Sequence, residues 1–242
     1  MKRIWTYWEG HQPQIVKTCL ASWSTFAPDW EITVIDKDTV FQYDIDTPST
    51  FEQLGPTARS DVIRLSLLSK YGGLWMDASV LLLHDLDWVL ERCDGGNPFF
   101  GFTLHDQYIE NWFLYAPTAN HTMSKWLRTF NDILELWPVC SSHPAYELPC
   151  TPLGNHDDYF MCYQAFCHLK RTDAQFAADV DDIPNVSPSF YTPFIPLHYH
   201  DRLVKFTKVH RTLYPYVRFP LCYVYILVLL AIIMMSVVIF AF

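Results

Sequence analysis

No glycine-rich nucleotide-binding loop occurs in this chain of 242 residues, which contains only 8 glycines. Dinucleotide-binding proteins use a Gly-x-Gly-x-x-Gly turn, and P-loop proteins use a glycine loop that ends in Gly-Lys-Ser or Gly-Lys-Thr. Neither pattern is present in the sequence. This absence argues against a nicotinamide-dependent enzyme and against a P-loop phosphotransferase.

Positive charge is scarce as well. The chain carries 17 Lys and Arg against 26 Asp and Glu, which gives a formal net charge of −9. Proteins that bind nucleic acid usually present a surplus of positive charge, so we expect no nucleic acid partner. The 7 cysteines form no Cys-x-x-Cys pair. The cysteine pattern therefore argues against a structural zinc site and does not imply a disulfide framework.

Charge is missing altogether from residues 221–242, which are rich in Ile, Leu, Val and Met. At about 1.5 Å per residue, a helix of this length spans a hydrocarbon core of roughly 30 Å. Pro220 stands where it would begin such a helix. A buried core helix is the alternative, but a core helix of this length normally shows a polar face. We therefore expect residues 220–242 to form a single-pass, C-terminal membrane anchor.

The residues before this segment set its expected orientation. A basic flank favours the cytosolic side of a membrane. The basic residues here are Arg202, Lys205, Lys208, Arg211 and Arg218. At the N-terminus, residues 8–12 interrupt any apolar run behind Lys2 and Arg3, so no signal peptide is indicated. Residues 1–219 are accordingly predicted to form one domain that faces the cytosol.

Strand and helix patterns alternate along the N-terminal part of the chain. Short apolar or alternating runs predict strands, and apolar residues at helical spacing predict helices. The predicted order is strand 3–8, helix 14–26, strand 30–35, helix 57–70 and strand 74–83. Further along, we expect strands at 99–102 and 111–116 and helices at 85–93, 121–137 and 157–169. Helix-linked strands form a parallel sheet with right-handed crossovers, which binds ligands at the carboxyl ends of its strands.

A single carboxylate stands inside the third predicted strand. Residues 71–79 read Tyr-Gly-Gly-Leu-Trp-Met-Asp-Ala-Ser, so a glycine pair ends a helix, an apolar strand begins, and Asp77 interrupts it. Burying a carboxylate is costly unless a cation or hydrogen-bond donors meet it. Asp77 is therefore predicted to hold a metal ion, a sugar hydroxyl or a ribose.

The order of several short motifs resembles one family of glycosyltransferases. The motifs are Ile4-Trp5-Thr6-Tyr7-Trp8, Ser22-Trp23, Pro28-Asp29-Trp30-Glu31, Ser60-Asp61-Val62-Ile63-Arg64, the Tyr-Gly-Gly-x-Trp-x-Asp run of residues 71–77 and, more weakly, Asn111-Trp112-Phe113 with Ala116-Pro117. The family includes capsular polysaccharide synthesis proteins and the initiating α-1,6-mannosyltransferases. The similarity is dense over residues 4–83 and thin beyond them.

This resemblance implies an α/β fold of the GT-A type, a Rossmann-like mixed sheet flanked by helices. It also implies transfer of a sugar from a nucleotide-sugar donor to a glycan or other hydroxyl acceptor, with retention of anomeric configuration. The family's Asp-x-Asp pair implies Mn²⁺ or Mg²⁺ as cofactor, with Asp77 as the first acid. Here the second acid is replaced by Ser79, and a hydroxyl is a poorer ligand than a carboxylate.

Alternation along a strand would put the side chains of Asp77 and Ser79 on the same face. Ser79 is therefore expected to touch the metal or its water. His198 and His200 are the candidate further ligands, since related transferases use late histidines. The expected metal site thus consists of Asp77, Ser79, His198 and His200.

The leaving diphosphate carries negative charge that the protein has to neutralise. A divalent cation on Asp77 is one route, and cationic side chains are the other. The candidate cations are Arg59, Arg64, Arg202, Lys205 and Lys208. For Arg59 and Arg64, pairing with Asp61 or solvation on a helix is the alternative interpretation.

Several more residues complete the candidate site. Asp61 is expected to bind a donor-sugar hydroxyl or to position Arg64, and Gly73 joins the donor-binding group. Trp5, Tyr7 and Trp8 lie near the end of the first strand, where they would stack on the base or pack in the core. The candidate catalytic residues are Asp77, Asp61, Asp157 and Asp158. A solvent-facing helix cap is the alternative for Asp157 and Asp158.

Three functions fit these observations. The first is a membrane-anchored glycosyltransferase. The second is a catalytically degenerate member that serves as a binding or scaffold protein at a membrane, which Ser79 motivates. The third is a phosphoryl or nucleotidyl transferase that uses the same acidic site.

Overall fold

The computed structural model describes residues 2–94, 96–104, 108–136, 161–181, 183, 197–199 and 202–206. The strands are β1 Arg3–Tyr7, β2 Glu31–Ile35, β3 Gly73–Met76, β4 Val80–Leu82, β5 Phe100–Leu104, β6 Tyr108–Ala116, β7 Leu197–Tyr199 and β8 Leu203–Lys205. The α-helices are α1 Gln14–Phe26, α2 Pro56–Tyr71, α3 Asp87–Glu91, α4 His121–Leu136, α5 Met161–Thr172 and α6 Ala174–Asp181. Two short 3₁₀ turns, Val40–Gln42 and Phe51–Gln53, lie between β2 and α2.

The central sheet has five strands in the order β2-β1-β3-β6-β5. The strands β2, β1 and β3 run parallel, as helix-linked strands should, whereas β6 and β5 are antiparallel to their neighbours. Helix α2 packs against α4, which in turn packs against α5. The predicted α/β class with a mixed sheet flanked by helices is confirmed.

A second, antiparallel sheet contains the strands β4, β8 and β7 in that order. Val80 of β4 lies opposite Lys205 of β8, and Leu82 lies opposite Leu203. Helix α1 packs against β4. This small sheet brings a segment from near residue 200 back to the end of β3.

The predicted continuous strand 74–83 is wrong. Strand β3 ends at Met76 and β4 begins at Val80, and the two belong to different sheets. Between them the chain turns, and the amide of Val80 donates to the carbonyl of Asp77 at 2.9 Å. Asp and Ser are common in turns, where their short polar side chains bond to nearby backbone. The alternation that was expected to align Asp77 with Ser79 therefore does not apply, since the two residues lie in a turn.

Helix α2 ends at Tyr71, directly before the glycine pair, as the sequence predicted. Gly72 has a φ of 66°, and a Cβ at this position would lie 2.6 Å from the backbone carbonyl carbon of Thr118. Gly73 has a φ of 98°, and its Cβ would lie 3.0 Å from the carbonyl oxygen of Arg3. Side chains rarely adopt such positive φ angles, so glycine is required for both the backbone conformation and the close approach of neighbouring segments.

Aromatic side chains fill much of the core, and several of their indole N–H groups donate to backbone carbonyls. The indole N–H of Trp5 donates to the carbonyl of Gly72 at 2.9 Å, and that of Trp23 donates to the carbonyl of Val80 at 2.7 Å. Buried indoles are stable in a core when their N–H is bonded in this way. These two bonds also attach β1 and α1 to the segment that surrounds Asp77.

Among the described residues, no helix is both long enough and apolar enough to span a bilayer. The predicted membrane segment 220–242 lies outside the described residues. The membrane anchor and its orientation therefore stay predictions.

Candidate active site

Asp77 follows the last residue of β3, at the carboxyl edge of the central sheet. Its side chain is 28% exposed, so the carboxylate is within reach of a ligand. One carboxylate oxygen, Oδ1, accepts from Arg64 Nη2 at 2.9 Å and from the indole N–H of Trp75 at 3.0 Å. The other oxygen, Oδ2, accepts a hydrogen bond from Lys205 Nζ. The sequence predicted that a cation or hydrogen-bond donors would meet this carboxylate. The structure shows two cations and an indole N–H group in that role.

Arg64 comes from the middle of α2, a helix that is buried almost continuously from Asp61 to Leu68. Its guanidinium lies between two carboxylates, because Nη1 donates to Asp61 and Nη2 donates to Asp77. It also lies 4.9 Å from the ring centroid of Trp75. A planar guanidinium suits this position, since it can bond in two directions and stack on an aromatic face.

Lys205 is the second cation on Asp77. Its Nζ bonds both to Oδ2 of Asp77 and to Oγ of Ser79, the latter at 3.1 Å. The pairing of β4 with β8 places the lysine beside this turn, and the amide of Phe206 donates to the carbonyl of Ser79 at 2.9 Å. The ammonium also lies 5.8 Å from the ring centroid of Trp112.

A polar chain extends from Asp61 towards α5. The Nδ2 of Asn111 donates to Asp61 at 3.1 Å, and the hydroxyl of Tyr163 donates to the Oδ1 of Asn111 at 3.2 Å. The Tyr163 hydroxyl also lies 3.3 Å from the carboxylate of Glu110. These bonds join α2, β6 and α5 around one site.

The local environment shifts the pKa values of the site carboxyls in different directions. Burial by itself raises the pKa of Asp77, but the charges of Lys205 and Arg64 outweigh this effect and bring it to about 2. Burial raises the pKa of Asp61 to about 6, although Arg64 opposes the shift. Burial also raises the pKa of Glu110. Asp77 is therefore ionised at neutral pH, and Asp61 titrates closer to neutrality than an ordinary aspartate.

A second polar group lies at the end of β1. The hydroxyl of Tyr7 donates to Glu9 at 2.8 Å, and Arg59 Nη1 lies 3.3 Å from the same carboxylate. Arg59 Nε also donates to the carbonyl of Leu54 at 2.8 Å. Since β1 and β3 are parallel with Trp5 opposite Trp75, their carboxyl ends reach the same edge of the sheet. The structure thus brings Arg59 and Tyr7 to the edge that holds Asp77.

The other predicted donor-binding residues have different positions. Trp5 is buried in the core, Gly73 allows β3 to approach β1, and Trp8 is half-buried with its indole N–H on the carbonyl of His11 at 3.2 Å. Binding of donor by these three residues stays a prediction. Asp157, Asp158, His200 and Lys208 lie outside the described residues, and for His198 the structure describes the backbone of β7 alone.

The structure also adds residues that sequence patterns had not placed in the site. Trp75 stands two positions before Asp77, a spacing that can bring both side chains to one side of a strand. Asn111 belongs to the weak Asn-Trp-Phe motif, which was a usable signal. Glu110 and Tyr163 carried no distinguishing pattern. Their roles depend on the contact of β6 with α5.

The oxygens of Asp77 and Ser79 are already bonded to N–H groups, an arrangement that suits an ammonium better than a divalent cation. A carboxylate pair is the usual hard-oxygen site for Mn²⁺ or Mg²⁺, and here Asp77 bonds to three donors while the Ser79 hydroxyl bonds to Lys205. No cluster of three metal-binding His, Cys, Asp or Glu side chains occurs among the described residues. Since the side chains of His198 and His200 are not described, the predicted metal site stays a prediction.

With this geometry in place, the family can be identified. Residues 1–137 match the model of the family described as "Capsular polysaccharide synthesis protein", which is more than half of the 242 residues. The chain belongs to this family, and the resemblance predicted from its motifs is confirmed. The matched region includes Asp61, Arg64 and Asp77 but not Lys205.

Two curated relatives are similar to this chain. One is O-glycosyltransferase braB from Annulohypoxylon truncatum, which is 27% identical over 157 residues, or 54% of this chain and 37% of that protein. The other is Probable glycosyltransferase FCK3 from Fusarium pseudograminearum, 29% identical over 159 residues, or 56% of this chain and 39% of that protein. The chain thus spans less than two-fifths of the length of these relatives.

Among solved structures, the PaToxG Glycosyltransferase is similar with a TM-score of 0.46 and 14% sequence identity. The superposition covers 75% of this chain and 73% of that chain.

Proposed function

We propose that this chain is a glycosyltransferase that moves a sugar from a nucleotide-sugar donor to a hydroxyl group of a glycan or other acceptor. The observation that carries the proposal is the half-buried carboxylate of Asp77, which lies at the carboxyl edge of the sheet with Arg64 and Lys205 on its two oxygens. Ligands of sheets with parallel strands bind at this edge. The family membership and the printed names of the two relatives support the same reaction.

The site residues match what glycosyl transfer requires. The bond between the sugar C1 and the diphosphate oxygen breaks, and its electron pair leaves with the diphosphate. The acceptor oxygen forms the new bond to C1, and its proton passes to the departing phosphate oxygen. Positive groups beside the diphosphate stabilise the charge that develops there. Attack on the face that the diphosphate leaves gives retention, which is part of the proposal.

The proposal assigns roles to both described polar groups. Asp77 orients the cations and contacts the donor, whereas Asp61 and Asn111 hold Arg64 in place. Arg59 and Tyr7, at the end of β1, are suited to the nucleotide side of the donor. On the acceptor side, Asp157 and Asp158 remain the candidates from the sequence.

A location at a membrane completes the proposal. Its support is the charge-free segment 221–242 behind a basic flank. A transferase on such an anchor would meet its nucleotide-sugar donor in the cytosol and its acceptor at the membrane surface.

Replacement of Asp77 tests the proposal. We expect Asp77→Asn to lower transfer at least about a hundredfold, because loss of one preorganised charge contact costs several kcal/mol of transition-state stabilisation. The measurement is transfer and hydrolysis of a panel of UDP- and GDP-sugars by the full chain in mild detergent. Asp173→Asn is the matched control, since Asp173 is also a partly buried carboxylate paired with a lysine, Lys125. Near-normal turnover in Asp77→Asn, with an unchanged melting temperature, would contradict the assignment.

A degenerate binding protein is the second candidate function. It is favoured by Ser79, which replaces an acid of the family pair. In that case the wild-type chain should bind sugar nucleotides but release neither free sugar nor a glycosylated product. Product analysis in the same assay also separates sugar transfer from phosphoryl or nucleotidyl transfer.

A further inference from the structure

Lys205 occupies the position between the two members of the family's metal-binding pair. The pair is formed here by Asp77 and Ser79, and the Lys205 ammonium bonds to both of them. In the family's Asp-x-Asp pair, the two acids would hold a metal ion that supplies positive charge beside the diphosphate. In this chain the cation is part of the protein.

The position of this ammonium is fixed by the backbone. Strand β8 pairs with β4 directly after the turn, with Val204 opposite Leu81 and Lys205 opposite Val80. The amide of Phe206 closes the pairing on the carbonyl of Ser79. Lys205 is itself buried, so its side chain has little freedom to move away from Asp77. A cation held in this way needs no reorganisation when a charged ligand arrives.

The local charge balance also disfavours an added metal ion. Asp77 already faces two positive groups, Arg64 on Oδ1 and Lys205 on Oδ2. A divalent cation on the same carboxylate would lie within a few ångströms of both and would be repelled by them. The Lys205 ammonium, by contrast, can form an ion pair with an anionic diphosphate. Ser79 in place of an acid fits this arrangement, because a second carboxylate beside Lys205 would repel the diphosphate.

We propose that the Lys205 ammonium takes the place of the divalent cation in this chain and binds the diphosphate of the donor directly. The inference rests on the proposed glycosyltransferase function. As the bond between C1 and the diphosphate oxygen breaks, the electron pair goes to the diphosphate, and Lys205 stays protonated and forms an ion pair with it. When the donor binds, a phosphate oxygen takes the place of the Ser79 hydroxyl as a hydrogen-bond partner of the Lys205 ammonium.

The first test compares binding with and without metal. The full chain in mild detergent is titrated calorimetrically with UDP, with GDP and with their hexose esters, in EDTA and in Mn²⁺. We expect the nucleotide that binds to have the same dissociation constant, within about twofold, in both buffers. Binding only in Mn²⁺ would overturn the inference and leave the proposed function intact. Absence of binding in both buffers, together with absence of transfer, would overturn the function as well.

The second test replaces the lysine. Lys205→Met should weaken nucleotide binding by about tenfold or more in both buffers, because a hydrogen bond to a charged group is lost. Lys205→Arg keeps the charge and should bind within a few-fold of wild type. Lys125→Met is the matched control, since Lys125 forms a similarly half-buried pair with Asp173, and it should leave binding unchanged. Unchanged affinity in folded Lys205→Met would refute the proposal.

The third test restores the family pair. The double variant Ser79→Asp with Lys205→Ala offers two carboxylates and no ammonium, so its nucleotide binding should become dependent on Mn²⁺. If Lys205→Met fails to fold, as shown by its thermal unfolding, the wild-type comparison in EDTA and the Lys205→Arg variant decide the matter. Mn²⁺ dependence of Lys205→Arg equal to that of the double variant would count against the inference.

Discussion

Opposite charges alternate along four neighbouring side chains in the site, in the order Asp61, Arg64, Asp77 and Lys205. The first two are buried, and the chain of charges reaches solvent at the half-buried Asp77. Each inner charge is compensated by its neighbours, so removal of one member leaves another uncompensated in the interior. A substitution at any of these four residues should therefore change the stability of the fold as well as the proposed binding of the donor.

Replacement of the central cation should show this coupling. We expect Arg64→Gln to lower the free energy of unfolding by about 3 kcal/mol, because Asp61 would be left buried without its cation. Lys70→Gln is a suitable control, since Lys70 pairs with two largely exposed carboxylates, Asp44 and Asp46. Such surface pairs contribute about 0–1 kcal/mol. Chemical denaturation of both variants provides the comparison, and equal losses would contradict the role of Arg64.

The pKa of Asp61 gives the protein a distinct pH dependence. Its folded value of about 6 is above the ordinary 3.8, so between these pH values the folded state binds the proton more tightly than the unfolded state. This term therefore stabilises the fold at low pH and is lost as pH rises from about 4 to about 6. At about 1.4 kcal/mol per pKa unit, the change is on the order of 3 kcal/mol.

Denaturation between pH 4 and pH 7 measures this term. Asp61→Asn removes it, so the stability of wild type should fall relative to that of the variant as pH rises through this range. Asp77 acts in the opposite sense, because its depressed pKa of about 2 adds stability as pH rises from about 2 to about 4. If the unfolding free energies of wild type and Asp61→Asn changed with pH in parallel, the pH dependence could not be attributed to the raised pKa of Asp61.

The junction of α2, β3 and β4 is where secondary structure creates the site. Helix α2 supplies Asp61 and Arg64 three residues apart, so both side chains lie on one side of the helix. The glycine pair then reverses the chain into β3, which delivers Asp77 at its end. The short turn to β4 moves the chain into the second sheet, where β8 adds Lys205.

The backbone conformation at this junction requires glycine at position 72. Gly72→Ala should destabilise the protein by about 2 kcal/mol or more, because strain at positive φ is joined by a clash with the backbone of Thr118. Gly10→Ala is the matched control, since Gly10 has a similar φ of 72° but no atom within 4 Å of the point that a Cβ would occupy. The difference between the two variants in a denaturation experiment isolates the clash. Equal effects would mean that Thr118 moves aside freely.

Helix α4 begins at a capping asparagine that holds two segments together. The Oδ1 of Asn120 accepts from the amide of Met123 at 2.9 Å, and its Nδ2 donates to the carbonyl of Pro98 at 2.6 Å. Asn120→Ala should cost about 1 kcal/mol or more in unfolding free energy, as the loss of a helix cap does. Asn120→Asp keeps the cap but not the amide donor, so an intermediate loss is expected. An Asn120→Ala variant as stable as wild type would rule out the cap as a stabilising contact.

The protein combines an acidic chain of net charge −9 with a site that gathers positive charge around one carboxylate. The second sheet makes this possible, because it brings a segment from near residue 200 back to the N-terminal sheet. The same segment leads towards the charge-free tail. Of the site residues, Lys205 is therefore the one close in sequence to the predicted membrane anchor, residues 220–242.

The proposed orientation can be tested by glycosylation. Asn120-His121-Thr122 and Asn185-Val186-Ser187 are acceptor sequences, and a cytosolic body should leave both unmodified in a eukaryotic host. Asn120 is buried in the folded protein, so Asn185 is the informative position. A fusion with an N-terminal secretion signal, which forces translocation, is the positive control. An endoglycosidase-sensitive mass shift in the unfused chain would contradict the proposed orientation.

Local sequence pattern was sufficient to predict several parts of this protein. Helix 14–26, the helix that ends before Gly72, the strand that ends before Asp36 and the start of a strand at the glycine pair follow from apolar spacing and glycine. The need for hydrogen-bond donors around Asp77 follows from the cost of a buried charge. Which donors these are is visible only in the folded chain. Lys205 lies 128 positions from Asp77 and reaches it through the pairing of β4 with β8, and Tyr163 reaches Asn111 through the packing of α5 on β6.

The break after Met76 also depends on tertiary structure, because an apolar run looks the same in one strand as in two strands of different sheets. The pattern of apolar side chains indicates which face of each segment is buried. The partner across the sheet depends instead on register between distant segments, which no local pattern contains.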